Sequence, residues 1–82
     1  MNYTELTKRA QNGDHGAFGL LYESTYKRMY YLALKYMKNS TEAEDVLQES
    51  YIKAWNNIAG IKEPEKFNSW LSCIVSNTAK NS

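Results

Sequence analysis

The chain has 82 residues, 43% of them apolar and 23% charged, with four Gly, one Pro, one Cys and one His. That suits one small domain and excludes a disordered chain, a collagen-like repeat, a disulfide framework and a multi-cysteine or histidine-based metal site. The net charge of +1 argues against a globally basic nucleic-acid coat; with no secretory leader and no run of the roughly 20 apolar residues a membrane span needs, the chain reads as soluble and cytoplasmic.

Strand signals are nearly absent and helical spacing dominates, which predicts an all-α fold. A first helix is expected over about 4–11, with Thr4 as its N-cap. Asn12-Gly13-Asp14 supplies a stop, a left-handed turn and a new cap. The second helix is expected over about 15–37, with a core stripe of Phe18, Leu21, Tyr22, Thr25, Met29, Leu32, Ala33 and Tyr36 at spacings of three and four. Gly16 and Gly19 each cost roughly 1 kcal/mol there relative to Ala, so fraying or a close helix contact is expected. Thr41 and Glu44 match a capping box, and Glu42, Glu44 and Asp45 suit the positive end of a helix dipole. The third helix is therefore expected over about 42–58. Pro64 is a good first residue for the last helix, 64–80, whose core face is Phe67, Trp70, Leu71, Ile74, Val75 and Thr78. Short connections predict a compact bundle of four helices in one domain, 1–82.

Charge is segregated along the chain. Residues 1–38 hold six Lys/Arg against three acids, residues 39–58 one Lys against four acids, and residues 59–82 three Lys against two acids. At 100° per residue, Ala43, Leu47, Ser50, Tyr51, Ala54 and Ile58 face the core, while Asp45, Gln48, Glu49 and Ile52 cluster within about 60° on the opposite side. A solvated polar face is the plain reading of that cluster. Against it stands Ile52, an apolar residue inside an acidic rim with Trp55 at its edge, which suits a patch for a basic partner helix. Nothing near these acids supplies a nucleophile or ligand set, so acid–base catalysis has almost no support.

Two further faces are open to the same pair of readings, ordinary solvated surface or contact with nucleic acid. On the second helix Lys27, Arg28, Tyr31, Lys35 and Lys38 span an arc of about 100° opposite the core stripe and are candidate phosphate contacts. On the last helix and the loop before it, Lys62, Glu63, Lys66, Asn68, Ser69, Ser72, Ser76, Asn77 and Lys80 form a small polar strip. Packing is the preferred reading for Phe18, Tyr22, Phe67 and Trp70. His15 reads as a surface residue, and Cys73 as an exposed thiol with no base to activate it.

The segment Thr41 to Glu49, TEAEDVLQE, continuing through Tyr51-Ile52-Lys53-Ala54-Trp55, resembles region 2 of sigma-70-type RNA polymerase sigma factors. Gly13-Asp14 with Ala17-Phe18 and Leu21-Tyr22, and Phe67-Asn68-Ser69-Trp70-Leu71 with Ile74 and Asn77, resemble it too. Order and spacing look like the extracytoplasmic-function (ECF) branch, over about Thr4 to Lys80. The resemblance implies a transcription initiation factor domain that is not an enzyme and needs no metal or cofactor. It implies that Asp45, Gln48 and Glu49, with Ile52 beside them, dock on the Arg-rich clamp helices of the RNA polymerase beta-prime subunit. It also implies that the last helix and its loop hold the single-stranded non-template strand of the promoter minus-ten element. Lys62, Glu63 and Lys66 belong to the loop that captures a flipped base, and Asn68, Ser69, Ser72, Ser76, Asn77 and Lys80 to the strand-facing helix. An anti-sigma factor is a further partner to consider.

Some residues depart from the pattern. Trp70 is followed by Leu71 rather than by the second Trp of housekeeping factors, and Ser72-Cys73 stands where Arg or Lys is frequent, which implies weak phosphate affinity in this helix. Such factors continue into a second helical domain reading the minus-thirty-five element, whereas this chain stops at Ser82; an isolated domain or a truncated product is expected. The competing expectation, from a different class, is a helical protein-interaction module using the Asp45/Gln48/Glu49 face without binding DNA.

Overall fold

Each of the first three helices opens on an Asn or Asp whose side chain accepts a hydrogen bond from a first-turn backbone amide. The computed structural model describes residues 2–81; Met1 and Ser82, the ends of the expected 1–82 domain, lie outside them. Asn2 accepts from the Glu5 amide at 3.0 Å and starts α1, Tyr3–Gln11. Asp14 accepts from the Ala17 amide at 3.0 Å and starts α2, His15–Met37. Asn39 accepts from the Glu42 amide at 3.1 Å and starts α3, Ser40–Asn57. Two short 3-10 turns follow, Ile58–Gly60 and Pro64–Lys66, before α4, Phe67–Lys80.

Several expected boundaries are corrected. The cap of α1 is Asn2 rather than Thr4, and that of α3 is Asn39 rather than Thr41, because an Asx oxygen two residues upstream already reaches the first free amides. The third helix thus spans 40–57 instead of 42–58, and its expected last residue, Ile58, sits in the 3-10 turn. Pro64 opens a 3-10 turn rather than the last α-helix, which begins at Phe67. At the α1–α2 junction Gly13 takes a φ of +91°, the left-handed backbone Gly adopts without strain.

The long α2 packs against all three other helices. Its stripe of Ala17, Leu21, Met29 and Ala33 is fully buried, against Ala43, Val46, Leu47, Tyr51 and Ala54 of α3 and Phe67, Leu71 and Val75 of α4 in one cluster. Every residue expected on the core face of the third helix is buried, and Val46 joins them. Two members of the expected α2 stripe are not core: Tyr22 and Tyr36 are each 40% exposed. They lie at the edges of the stripe, where Tyr51 of α3 and Lys80 of α4 reach them without covering them. Gly19 makes no close helix contact, with nothing within 4 Å of a Cβ there, and α2 is helical through both glycines. The molecule measures 34 × 20 × 17 Å, with a Cα radius of gyration of 12.1 Å.

Candidate functional site

Burial of one face of α3 fixes what the other presents. Asp45, Gln48, Glu49 and Ile52 are all exposed, Ile52 by 57%. The Asp45 and Gln48 side chains form no hydrogen bond or ion pair among the described residues, so their acceptors and donors are available to a partner. Glu49 pairs with Lys53 at 2.9 Å, one turn on. That same ammonium donates to the Thr78 hydroxyl of α4 at 3.2 Å, so the acidic edge is tied to α4 through Lys53. Asp45 and Glu49 also wall a cleft of about 260 Å³ with Met37, Glu42 and Val46.

Most of the strip on α4 and the loop before it borders two cavities. Lys62, Glu63, Lys66 and Ser69 line one of about 330 Å³ together with Gly60, Ile61, Trp70 and Cys73. Ser72, Ser76, Asn77 and Lys80 line another of about 340 Å³ with Leu32 and the shared wall Cys73. The Ser72 hydroxyl donates to the Asn68 carbonyl at 2.9 Å, so it is turned back on its own helix. Asn68 lines neither cavity; its side-chain Oδ1 is buried without a hydrogen-bond partner. Lys66 pairs with Glu63 at 3.0 Å, and that carboxylate's hydrogen bond holds the ammonium above the ordinary lysine range. Lys80 sits 6.0 Å over the Tyr36 ring.

The loop carrying Lys62, Glu63 and Lys66 is held from α1. The Gln11 amide donates to the carbonyls of Ile58 at 2.9 Å and Ile61 at 2.8 Å, which fixes both sides of Gly60. Gln11, Lys53, Trp70 and Cys73 are the residues that reading the chain alone missed in these roles. Trp70 carried a signal in its size, but its core spacing concealed it; Gln11 carried none, because its partners are carbonyls some fifty positions away.

On α2, Lys27, Arg28, Tyr31, Lys35 and Lys38 are all exposed, Tyr31 by 57%, and none of the four cations has an ion-pair partner among the described residues. Cys73 is exposed. Among the described residues no group of three or more His, Cys, Asp or Glu is placed to hold a metal ion, and no helix is long and apolar enough to cross a membrane.

The profile of the Sigma-70 region 2 family matches residues 21–82. The chain belongs to the sigma-70 region 2 family. It is 36% identical over 77 residues to the RNA polymerase sigma-H factor of Pseudomonas aeruginosa, covering 94% of this chain and 40% of that protein. It is 37% identical over 76 residues to the ECF RNA polymerase sigma-E factor of Escherichia coli K12, covering 93% of this chain and 39% of that protein. The ECF factor SigW of Bacillus subtilis is 34% identical over 70 residues, 85% of this chain and 37% of its own length. This chain therefore spans about two-fifths of the length of the curated relatives it matches. Its fold is similar to that in an NMR structure of an engineered region 2 of sigmaE in complex with GTAAAA, with TM-score 0.91 and 36% identity, covering 99% of this chain and 84% of that one. The family resemblance to the ECF branch is thus a property of the whole four-helix unit, including α1.

Proposed function

We propose that this chain is a single sigma region 2 domain that brings RNA polymerase core to a promoter and holds the opened minus-ten element. Asp45, Gln48, Glu49 and Ile52 of α3 dock on the beta-prime clamp helices, where Arg side chains meet the carboxylates in charge-assisted hydrogen bonds. Lys62, Glu63 and Lys66, around the cavity walled by Trp70, take a flipped base of the non-template strand. Asn68, Ser69, Ser72, Ser76, Asn77 and Lys80 run beside that strand, with Ser72 and Asn68 acting through the helix surface they shape. Lys27, Arg28, Tyr31, Lys35 and Lys38 contact backbone phosphates.

The observation that carries this reading is the separation of the two surfaces: an acid-and-amide edge on α3 and a cavity at the 3-10 turns and α4, both outside the core. The similarity to a region 2 structure in complex with GTAAAA supports the nucleic-acid half. A domain with these partners works in the cytoplasm, and an anti-sigma factor that silenced it would cover the α3 edge. The test is capture of core polymerase by the 82-residue chain, with single-stranded minus-ten oligonucleotides titrated separately. Gln48→Ala with Glu49→Lys abolishes capture at unchanged helicity, whereas oligonucleotide binding persists and weakens with salt, by a log–log slope of about 0.7 per phosphate contact. Capture retained by the double variant, or no salt-sensitive binding to any oligonucleotide, defeats the corresponding half.

A further inference from the structure

A further cavity adjoins the α3 docking face. It is a groove of about 550 Å³ between α2 and α3. Its walls are the rings of Phe18, Tyr22 and Tyr26 from α2 and Tyr51 and Trp55 from α3, with Glu44 at the rim. The rings touch one another: Phe18 and Trp55 lie edge to face at 5.1 Å between centroids, Tyr22 is 4.5 Å from Tyr51 and 5.4 Å from Tyr26. Tyr51 is anchored from below by the Thr25 hydroxyl at 2.7 Å. No Lys or Arg lines the groove, and its charged lining residue is an acid. Gln48 and Ile52, half of the proposed polymerase-docking face, form its other side.

We propose that this groove is a slot for an arginine side chain of the docked clamp helix, an inference that rests on the docking function proposed above. A guanidinium is flat, weakly hydrated and always charged. It stacks on ring faces while its edge hydrogen-bonds to a carboxylate, here Glu44. Two features of the groove select it. The segment 39–58 that forms one wall carries four acids against one Lys, so a cation is attracted before contact. The walls are aromatic, and a π-system attracts a cation but not sulfate, phosphate or an acidic peptide. Lysine, a compact and strongly hydrated ammonium, gains less from the same walls. The slot then adds shape-dependent recognition of arginine to the charge recognition supplied by Asp45 and Glu49.

The experiment measures binding of the 82-residue chain to core polymerase, with both partners varied. Tyr22→Leu with Tyr26→Leu, which keeps apolar bulk and removes the rings, weakens binding about tenfold. Glu44→Gln, at an exposed position outside the core, weakens it about threefold. One clamp arginine changed to lysine weakens the unaltered chain about tenfold and the double-leucine chain hardly further. That non-additivity identifies the occupant. If circular dichroism shows the double-leucine chain unfolded, the arginine-to-lysine arm decides with the unaltered chain, together with Glu44→Gln. Binding within twofold of normal in all these arms, with Glu49→Lys still abolishing it, overturns the slot and leaves the docking face standing. Losses that add for every arginine overturn the slot as well. If Glu49→Lys binds normally, the docking function fails and the slot falls with it.

Discussion

Thr25 has one hydroxyl proton, and it goes to the Leu21 carbonyl at 2.7 Å. In the equally short contact between Thr25 and Tyr51, the tyrosine is therefore the donor. Burial pushes the Tyr51 hydroxyl up to about 12, which keeps that proton in place throughout the useful pH range. Thr25→Val removes the acceptor and leaves a buried O–H unpaired, a loss of about 1–3 kcal/mol. Tyr51→Phe leaves Thr25 still bonded to Leu21 and costs about 1 kcal/mol. Thermal unfolding of the two variants should rank them in that order. Asp14 sits at a second junction: the Ala17 amide, then the Arg9 guanidinium, hold its carboxyl below its ordinary value of 3.8. The unfolded chain thus takes up that proton first, so the stabilisation is complete above about pH 5 and is lost as acid carries the folded carboxyl through its own titration. Asp14→Asn keeps a capping oxygen, and its acid-unfolding curve should be flatter below pH 5 than that of the parent.

Among the elements, the α2–α3 junction is the place where local geometry disagrees with residue type. Lys38 caps α2 with φ +60° and ψ +14°, left-handed backbone that a side chain disfavours. Lys38→Gly should raise stability by about 1 kcal/mol, or roughly 4–8 °C in melting temperature. Its effect on oligonucleotide affinity has the opposite sign if Lys38 meets phosphate. The start of α2 was legible because Gly13 and Asp14 follow each other in the order a left-handed stop and a cap require. The start of α3 was only roughly legible. Asn39, Ser40 and Thr41 can each cap, and the choice depends on which oxygen reaches the Glu42 amide in the folded turn. The break at Pro64–Lys66 was not legible, since a proline suits the first residue of a 3-10 turn as well as that of an α-helix.

At the scale of the molecule, α1 braces the 58–66 segment through Gln11, and that segment frames the cavity beside Trp70. Gln11→Ala should leave helicity and polymerase capture unchanged while weakening single-stranded oligonucleotide binding about three- to tenfold. Parallel losses in both assays would mean that the brace stabilises the whole fold. The exposed identity of Asp45, Gln48, Glu49 and Ile52 was legible because one face of a helix is set by the burial of the other. The aromatic groove was not: Tyr22 stands at core spacing, and only the limited reach of α3 leaves it 40% exposed. Helix number, the core residues of α3, the start of α2 and the family likeness follow from short-range rules, because caps, turns and periodicity act within a few residues along the chain. The cavities, the Gln11 brace, the Lys53 bridge to α4 and the aromatic groove each need side chains from two helices at once. Packing distance alone decides whether such side chains meet or leave a gap.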